Sequence, residues 1–230
     1  MNKRQLLKKI CLSDKDLDEI KTSVKAAEQN TSGEIALALI SESSDYSFWE
    51  LMASLYTAAA VFAIMLPFAK KLKDFYDYVL WIQPVWFLPA FYGLSILVVI
   101  AIAFGLFNFP ALDRLIIPYS VRHKAVTDRA FRYFAESGVY CTSEHSGILI
   151  FVSYMERQVR IIADKGIAEK IPQELWNIIA DDLADGIKNG RTKDGFISAV
   201  QKCGELLKEK FPVHDENPNE LSDGLAILEN

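Results

Sequence analysis

The sequence predicts an α/β domain, a three-layer sandwich around a small mixed sheet, split by an inserted two-helix transmembrane hairpin. Apolar runs with strand character alternate with amphipathic helical patterns, an order that places helices on both faces of a sheet. Two uncharged runs, Leu51–Ala69 and Tyr78–Leu112, are long enough for helices that cross a hydrocarbon layer. A mean hydropathy of +0.13 in a chain with 24% charged residues agrees with such a mixture of soluble and membrane-spanning parts.

Residues 1–47 are predicted to form the first part of the α/β domain. Ser13 begins a helix, because serine is a preferred N-cap and acidic residues follow it in the first turn. Apolar residues then recur at helical spacing as far as Ala27. The segment Ser32–Ile40 is apolar on both faces, which indicates a strand buried on both sides.

Residues 48–112 are predicted to form the transmembrane hairpin. The first uncharged run supplies one span, and the second supplies an interfacial segment, Trp81–Leu88, followed by a span over about 89–109. A short charged connector, Lys70–Asp74, lies between the spans. A pair of buried helices in a large soluble protein is the alternative, and the aromatic residues that flank the runs favour the membrane.

Residues 113–212 are predicted to complete the domain, and residues 213–230 to form a flexible acidic tail. The predicted elements of the second part are a helix over Val121–Ser137, a strand over Gly147–Ser153, an antiparallel strand over Gln158–Asp164, a helix from Pro172 to Asn189 and a helix over Arg191–Phe211. The tail has acidic residues but no Lys or Arg, and it accounts for the whole formal charge of −5. The remaining body is neutral, which argues against nucleic acid as a partner.

The expected location is a bacterial inner (plasma) membrane. The basic N-terminus is followed by Ser13–Asp16 rather than by an apolar core, so no signal peptide is expected. Basic residues after the second span outnumber those in the connector, which favours a cytoplasmic soluble domain. Cys11, Cys141 and Cys203 cannot all pair and are expected to be reduced, buried thiols, compatible with the cytosol.

Four acidic residues are the candidate metal ligands: Glu34, Asp164, Asp181 and Asp185. Clusters of carboxylate oxygens suit calcium or magnesium. Asp181 and Asp185 are four residues apart and share a helix face, and Asp182 lies beside that face. A solvated helix surface is the alternative for these residues.

Other polar residues carry weaker predictions. His145 precedes the second strand and is expected to be a solvated loop residue, with a general base as the alternative. Glu156, Arg157 and Arg160 are expected to be charges at a turn and on a strand surface, with weak pairing energies.

The soluble part of the chain resembles the TPM domain family. Four features carry the resemblance: Thr31–Ile35 after an amphipathic helix, then Ser146–Ser153, then Glu156–Asp164, then a helix that bears Trp176. The chain is similar to a bacterial membrane-protein branch of this family, in which a transmembrane pair follows the first strand. Many members have a Gly-Tyr-Gly-like turn after the third strand, whereas this chain has Asp164–Ile167.

The resemblance implies an α/β sandwich and two functional expectations. Family members include proteins linked to photosystem repair and an auxiliary protein of a neurotransmitter receptor. An α/β domain held at the bilayer, with no complete catalytic constellation in the sequence, favours a factor for the assembly or maintenance of a membrane complex, with the lipid bilayer and a membrane protein as partners. Phosphatase activity and calcium binding, proposed within the family, imply as the alternative a divalent-metal-dependent phosphatase acting on phosphomonoesters. A transporter is disfavoured, because the predicted spans contain no ionisable residue.

Overall fold

The computed structural model describes residues 2–79, 85–142, 145–213 and 220–228. The chain forms two compact units. One consists of Met1–Ser44 and Ser120–Asn230, and the other of Asp45–Tyr119. The first unit is therefore discontinuous in sequence, and the second is inserted into it.

The described residues form fourteen helices and strands. In order they are α1 (Lys3–Lys9), α2 (Asp14–Glu28), β1 (Glu34–Ile40), α3 (Ser47–Met65), α4 (Ala69–Val79), α5 (Phe87–Phe107), α6 (Pro110–Ile116), α7 (Tyr119–Glu136), β2 (Gly147–Ser153), β3 (Gln158–Ala163), α8 (Lys165–Ala168), α9 (Gln173–Lys188), α10 (Thr192–Lys210) and β4 (Leu225–Leu228). Short 3₁₀ turns lie at Leu66–Phe68 and Val139–Cys141.

The first unit is built on a four-stranded mixed sheet in the order β3-β2-β1-β4. β1 pairs in parallel with both β2 and β4, and β2 pairs with β3 in antiparallel orientation. In this register Glu34 lies opposite Gly147 and Ile40 lies opposite Ser153. The sheet confirms the predicted α/β class.

Both faces of the sheet are covered, because successive side chains of a strand point to opposite sides. Ile35, Leu37 and Leu39 of β1 belong to the larger core, to which α1, α2, α9 and α10 contribute. Ala38 and Ile40 belong to a smaller core with apolar residues of α7. Burial on both faces explains the uninterrupted apolar run of β1.

The start of α2 is fixed by a capping box. The Ser13 backbone N–H donates to Asp16 Oδ2 at 2.8 Å, and the Asp16 backbone N–H donates to Ser13 Oγ at 3.3 Å. These bonds satisfy two donors that a helix start leaves free. Nζ of Lys193 in α10 lies 3.0 Å from Oε2 of Glu19, and this ion pair joins the start of α2 to α10.

The prediction of a flexible tail over 213–230 is wrong for β4. The strand pairs with β1 from Leu37 opposite Leu225 to Ile40 opposite Leu228. Its four apolar residues are a short signal within an acidic segment, and pairing with a buried strand is what orders them. Residues 214–219 and 229–230 of the predicted tail lie outside the described residues.

The second unit contains two helical stretches long and apolar enough to cross a membrane, Ser47–Val79 and Phe87–Phe107. Within the most apolar 18 residues of each stretch, only 11% and 6% respectively are buried inside the protein. α3 packs along α5, and the Tyr92 hydroxyl of α5 donates to the Met65 carbonyl at 3.2 Å. The charged connector predicted at Lys70–Asp74 is instead helical and lies within α4. Residues 80–84, including part of the predicted interfacial segment, lie outside the described residues.

Candidate functional site

Polar residues gather at the edge of the sheet where β1 and β2 begin and β3 ends. The Glu34 backbone N–H donates to the Ser146 carbonyl at 3.1 Å, and the Asp164 backbone N–H donates to the Gly147 carbonyl at 2.9 Å. Parallel pairing of β1 with β2 and antiparallel pairing of β2 with β3 bring these ends together. Two of the four predicted metal ligands, Glu34 and Asp164, therefore lie at one edge, on either side of β2.

Asp164 is a mostly buried carboxylate with two different contacts. Its Oδ1 accepts the backbone N–H of Lys165 at 2.7 Å, which caps the short helix α8. Its Oδ2 lies 3.2 Å from Nδ1 of His145. The side chain of His145 is 68% exposed, so the imidazole is both fixed by a carboxylate and open to solvent. A histidine held in this way is suited to proton transfer.

The backbone of His145 has a strained conformation, which supports a functional role for this residue. Its φ is +50°, in the left-handed region that non-glycine residues seldom adopt. Such strain persists only where surrounding contacts impose it, and it concentrates at functional sites. His145 and Asp164 belong to different elements, so neither the contact nor the strain has a local sequence signal.

Glu34 faces a different set of neighbours. Its side chain is buried and accepts the backbone N–H of Leu221 at 3.2 Å. Burial is the main cause that raises the pKa of the Glu34 carboxyl, and the carboxylates of Glu220 and Asp223 raise it further. In the described part of the chain no hydrogen bond joins Glu34 to Asp164.

Glu28 is a second buried carboxyl near Glu34. Its Oε1 accepts the backbone N–H of Ile35 at 3.0 Å, so the end of α2 is joined to the start of β1. Burial raises its pKa from 4.5 to about 8, and the charges of Glu34 and Asp223 act in the same direction. Asp223 is also buried and lies 3.5 Å from the ammonium group of Lys25. These carboxyls lie where the segment before β4 meets α2 and β1.

Asp181 and Asp185 lie on the exposed part of α9 and border different cavities. Asp181 borders a cavity of about 540 Å³ together with His123 and Arg160. Asp185 borders a cavity of about 370 Å³ together with cationic side chains of α1, α9 and the β2–β3 turn. Asp182 is paired with Lys202 at 2.6 Å. The acidic residues of α9 thus have cations as neighbours, an environment that opposes binding of a metal ion.

The four predicted ligands are consequently not brought together. Among the described residues, no group of three or more His, Cys, Asp or Glu side chains is arranged to hold a metal ion. A calcium or magnesium site made of Glu34, Asp164, Asp181 and Asp185 stays a prediction that this arrangement does not favour. Asp164 with His145 is the pair that the fold does place in contact.

The sequence predicts a surface charge at Glu156, and that prediction is wrong. Its side chain is 2% exposed and accepts the backbone N–H of Ser43 at 2.8 Å and the hydroxyl of Ser153. The Ser43 hydroxyl also donates to Ser153 Oγ at 2.8 Å. Glu156 therefore fastens the β2–β3 turn to the loop that follows β1. Its partner in that loop is distant in sequence, which is why turn chemistry alone predicts an exposed charge.

The expectation of buried thiols is correct for one cysteine and wrong for two. Cys203 is buried in the larger core, and burial raises its pKa to about 12. Cys11 and Cys141 are exposed, and all three thiols are free. Cys11 follows the end of α1 and Cys141 lies in a 3₁₀ turn, so both occupy connections rather than core positions.

Comparisons with known proteins agree with this fold. The sequence profile of the TPM domain family matches residues 114–206, a segment that runs from α6 into α10 and includes β2, β3 and the Asp164–His145 pair. The NMR structure of the BA42 protein from the psychrophilic bacterium Bizionia argentinensis is similar with a TM-score of 0.55 over 94% of both chains. Its sequence identity is 18%, so this likeness shows the fold alone. The comparison with curated proteins finds no match. Residues 114–206 are therefore similar in sequence to the TPM domain family.

Proposed function

We propose that this protein is a membrane-anchored TPM-domain protein that assists the assembly or maintenance of a membrane complex. The observation that carries the proposal is the exposure of the two apolar helical stretches of the second unit. Large apolar side chains of α5 such as Leu94 and Leu97 are each 64% exposed. A continuous apolar surface of this kind is unfavourable in water and favourable in lipid.

The dimensions of α5 suit this role. Its 21 residues give a helix about 31 Å long at a rise of about 1.5 Å per residue. That length matches the hydrocarbon thickness of a bilayer, about 30 Å. The bilayer of a bacterial plasma membrane is accordingly the first partner that we propose, with the TPM domain on its cytoplasmic side.

Membrane insertion is tested with charges on the exposed face of α5. The wild-type chain should remain in the membrane pellet after alkaline extraction. Replacing both Leu94 and Leu97 by Arg should move a large part of it to the supernatant, since each central Arg costs about 2.5–3.5 kcal/mol of insertion free energy. The matched control replaces both residues by Ala and should stay in the pellet. Extraction of the wild-type chain by alkali alone would contradict anchoring.

The assembly role is tested separately from anchoring. Chemical cross-linking in living cells, followed by purification in a mild detergent, should recover one membrane protein in constant ratio to this chain. Loss of that partner complex on deletion of this protein would support the assembly role. A solitary protein, with every membrane complex unchanged on deletion, would contradict it and leave the anchoring result intact.

A metal-dependent phosphatase is the second candidate function. The contact between Asp164 and His145 favours it, because a carboxylate that orients an imidazole is a recurring arrangement for proton transfer. The chain in detergent should then hydrolyse p-nitrophenyl phosphate with added magnesium or calcium. Asp164→Asn and His145→Gln should each lower the rate at least about tenfold. Glu169→Gln, an exposed neighbour paired with Lys165, is the matched control. Activity that survives chelation and both substitutions would exclude this function.

A further inference from the structure

A cavity lies at the carboxyl ends of β1 and β2, and Asp164 lies at the other end of these strands. It has a volume of about 370 Å³ and is bordered by Leu39 of β1, Val152 of β2 and residues of α1, α9 and α10. Small-molecule sites in proteins have volumes of about 300–1,000 Å³. The crevice beyond the carboxyl ends of parallel strands is also the usual position of ligand sites in open α/β sheets.

The inner wall of this cavity is apolar. Leu39, Val152 and Phe196 border it and belong to the larger core, where each is almost fully buried. Tyr154, Ala184 and Ile187 lie in front of them and are only half-buried. An occupant therefore gains free energy by placing an apolar group against the accessible surface of these three side chains, at about 25 cal/mol for each Å² removed from water.

The outer border of the cavity is cationic. Lys9 of α1, Arg157 of the β2–β3 turn and Lys188 at the end of α9 line it, together with one carboxylate, Asp185. Within the described residues none of these cations lies within 4.0 Å of a carboxylate oxygen. Three cations and one anion give the border a formal charge of +2, which matches a dianionic phosphate monoester.

Arg157 is held in place by its turn. Its φ is +53°, a left-handed conformation that is strained for arginine. Its backbone N–H donates to the Tyr154 carbonyl at 3.3 Å, and the adjacent Glu156 is fixed by Ser43 and Ser153. The backbone below the guanidinium group is thus ordered before any ligand binds, which lowers the entropic cost of binding.

We propose that this cavity binds a phosphate ester with an apolar substituent. The substituent lies against Tyr154, Ala184 and Ile187, and the phosphate lies among Lys9, Arg157 and Lys188. The guanidinium group of arginine is suited to paired hydrogen bonds with phosphate oxygens. The natural source of the phosphate is a soluble metabolite or an anionic lipid headgroup, since both offer the same chemistry.

The test uses the full-length chain in nanodiscs of phosphatidylcholine, with phenyl phosphate as the probe in isothermal titration calorimetry. Phenyl phosphate should bind with higher affinity than inorganic phosphate, because only the ester has an apolar group. Arg157→Gln and Lys188→Gln should each weaken binding about tenfold. Asp185→Asn should strengthen it about threefold by removing the one negative charge. Lys208→Gln, an exposed lysine of α10 outside the cavity, is the matched control and should leave binding unchanged.

A second series distinguishes the two sources of phosphate. Nanodiscs that contain phosphatidic acid should weaken binding of phenyl phosphate to the wild-type chain if the cavity accepts a lipid headgroup. Unchanged affinity in these nanodiscs identifies a soluble phosphate ester as the occupant. All the substituted residues are exposed, so a thermal unfolding midpoint close to that of the wild-type chain is expected for each variant.

Two results would overturn the proposal. One is the absence of phenyl phosphate binding to the wild-type chain. The other is an equal loss of affinity in Lys208→Gln and Arg157→Gln, which would indicate attraction to surface charge in general rather than a site.

Discussion

At the scale of single residues, Glu28 couples the stability of the domain to pH. The folded state retains a proton on this carboxyl up to a pKa of about 8, whereas the unfolded chain releases it near 4.5. The contribution of Glu28 to the free energy of unfolding is therefore greatest below about pH 4.5, falls as the pH rises towards 8, and is lost above that pH. The slope that a single such group contributes is at most about 1.4 kcal/mol per pH unit.

Glu28→Gln should raise the thermal unfolding midpoint at pH 8 and reduce the loss of stability between pH 5 and pH 8. Glutamine keeps an oxygen that accepts the Ile35 N–H and removes the charge. Glu34, Asp223 and Lys25 face the same region, so a smaller pH dependence should remain. Glu205→Gln, on the exposed side of α10, is the control and should behave as the wild-type chain. An unchanged midpoint at pH 8 in Glu28→Gln would contradict the pKa assigned here.

Glu156 should make a measurable contribution to folding free energy. Glu156→Ala removes the acceptor of the Ser43 N–H and of the Ser153 hydroxyl, and hydrogen bonds to charged groups contribute about 1.5–3 kcal/mol each. We expect the free energy of unfolding in denaturant titrations to fall by about 3 kcal/mol. Glu156→Gln keeps one acceptor and should lose less. If both variants matched the wild-type chain, Glu156 would be a surface charge after all.

At the scale of elements, local patterns predict the strands β1 to β3 and the longer helices of the domain, because each has an apolar period or a capping residue. Ser13 and the Gly147–Ser153 run are examples, and the structure reproduces both. The Asp164–His145 and Glu156–Ser43 contacts had no such signal, since each joins residues from separate elements. β4 was missed for a related reason: only pairing with β1 makes a four-residue apolar segment a strand.

β4 should contribute to the stability of the sheet. Leu225 and Ile227 pack against the larger core. Replacing both by Asp places charges against that core, and we expect a loss of about 3 kcal/mol in the free energy of unfolding. Ser222→Asp, exposed and just before β4, is the control. A flexible tail would tolerate all three substitutions equally, so equal stability of the two variants would contradict the pairing of β4 with β1.

At the scale of the whole molecule, the chain leaves the first unit after β1 and returns to it at α7. The loop after β1 is fastened to the β2–β3 turn by Glu156, so the segment that leads to the apolar helices is anchored in the folded domain. The same turn contributes Arg157 to the border of the cavity of about 370 Å³. A ligand in that cavity would contact the β2–β3 turn, which Glu156 fastens to the loop that leads to the inserted unit.

The orientation of the protein is open to a direct test with its own cysteines. In the orientation that we propose, Cys11 and Cys141 lie on the cytoplasmic side, and both are exposed. A membrane-impermeant maleimide should therefore label neither thiol in right-side-out membrane vesicles and both in inverted vesicles. Cys203 should react only after denaturation, because burial excludes the reagent and its raised pKa of about 12 keeps the thiol protonated.

Cys11→Ser and Cys141→Ser each remove one labelled thiol and provide the controls for assignment. Because Cys11 precedes the inserted unit and Cys141 follows it, the two thiols also report whether the inserted unit crosses the membrane an even number of times. Equal protection of both thiols is expected for two spans. Labelling of both in right-side-out vesicles would reverse the proposed orientation while keeping the hairpin. Labelling of only one of them would contradict the hairpin itself, since an odd number of crossings would separate two segments that the sheet requires to pair.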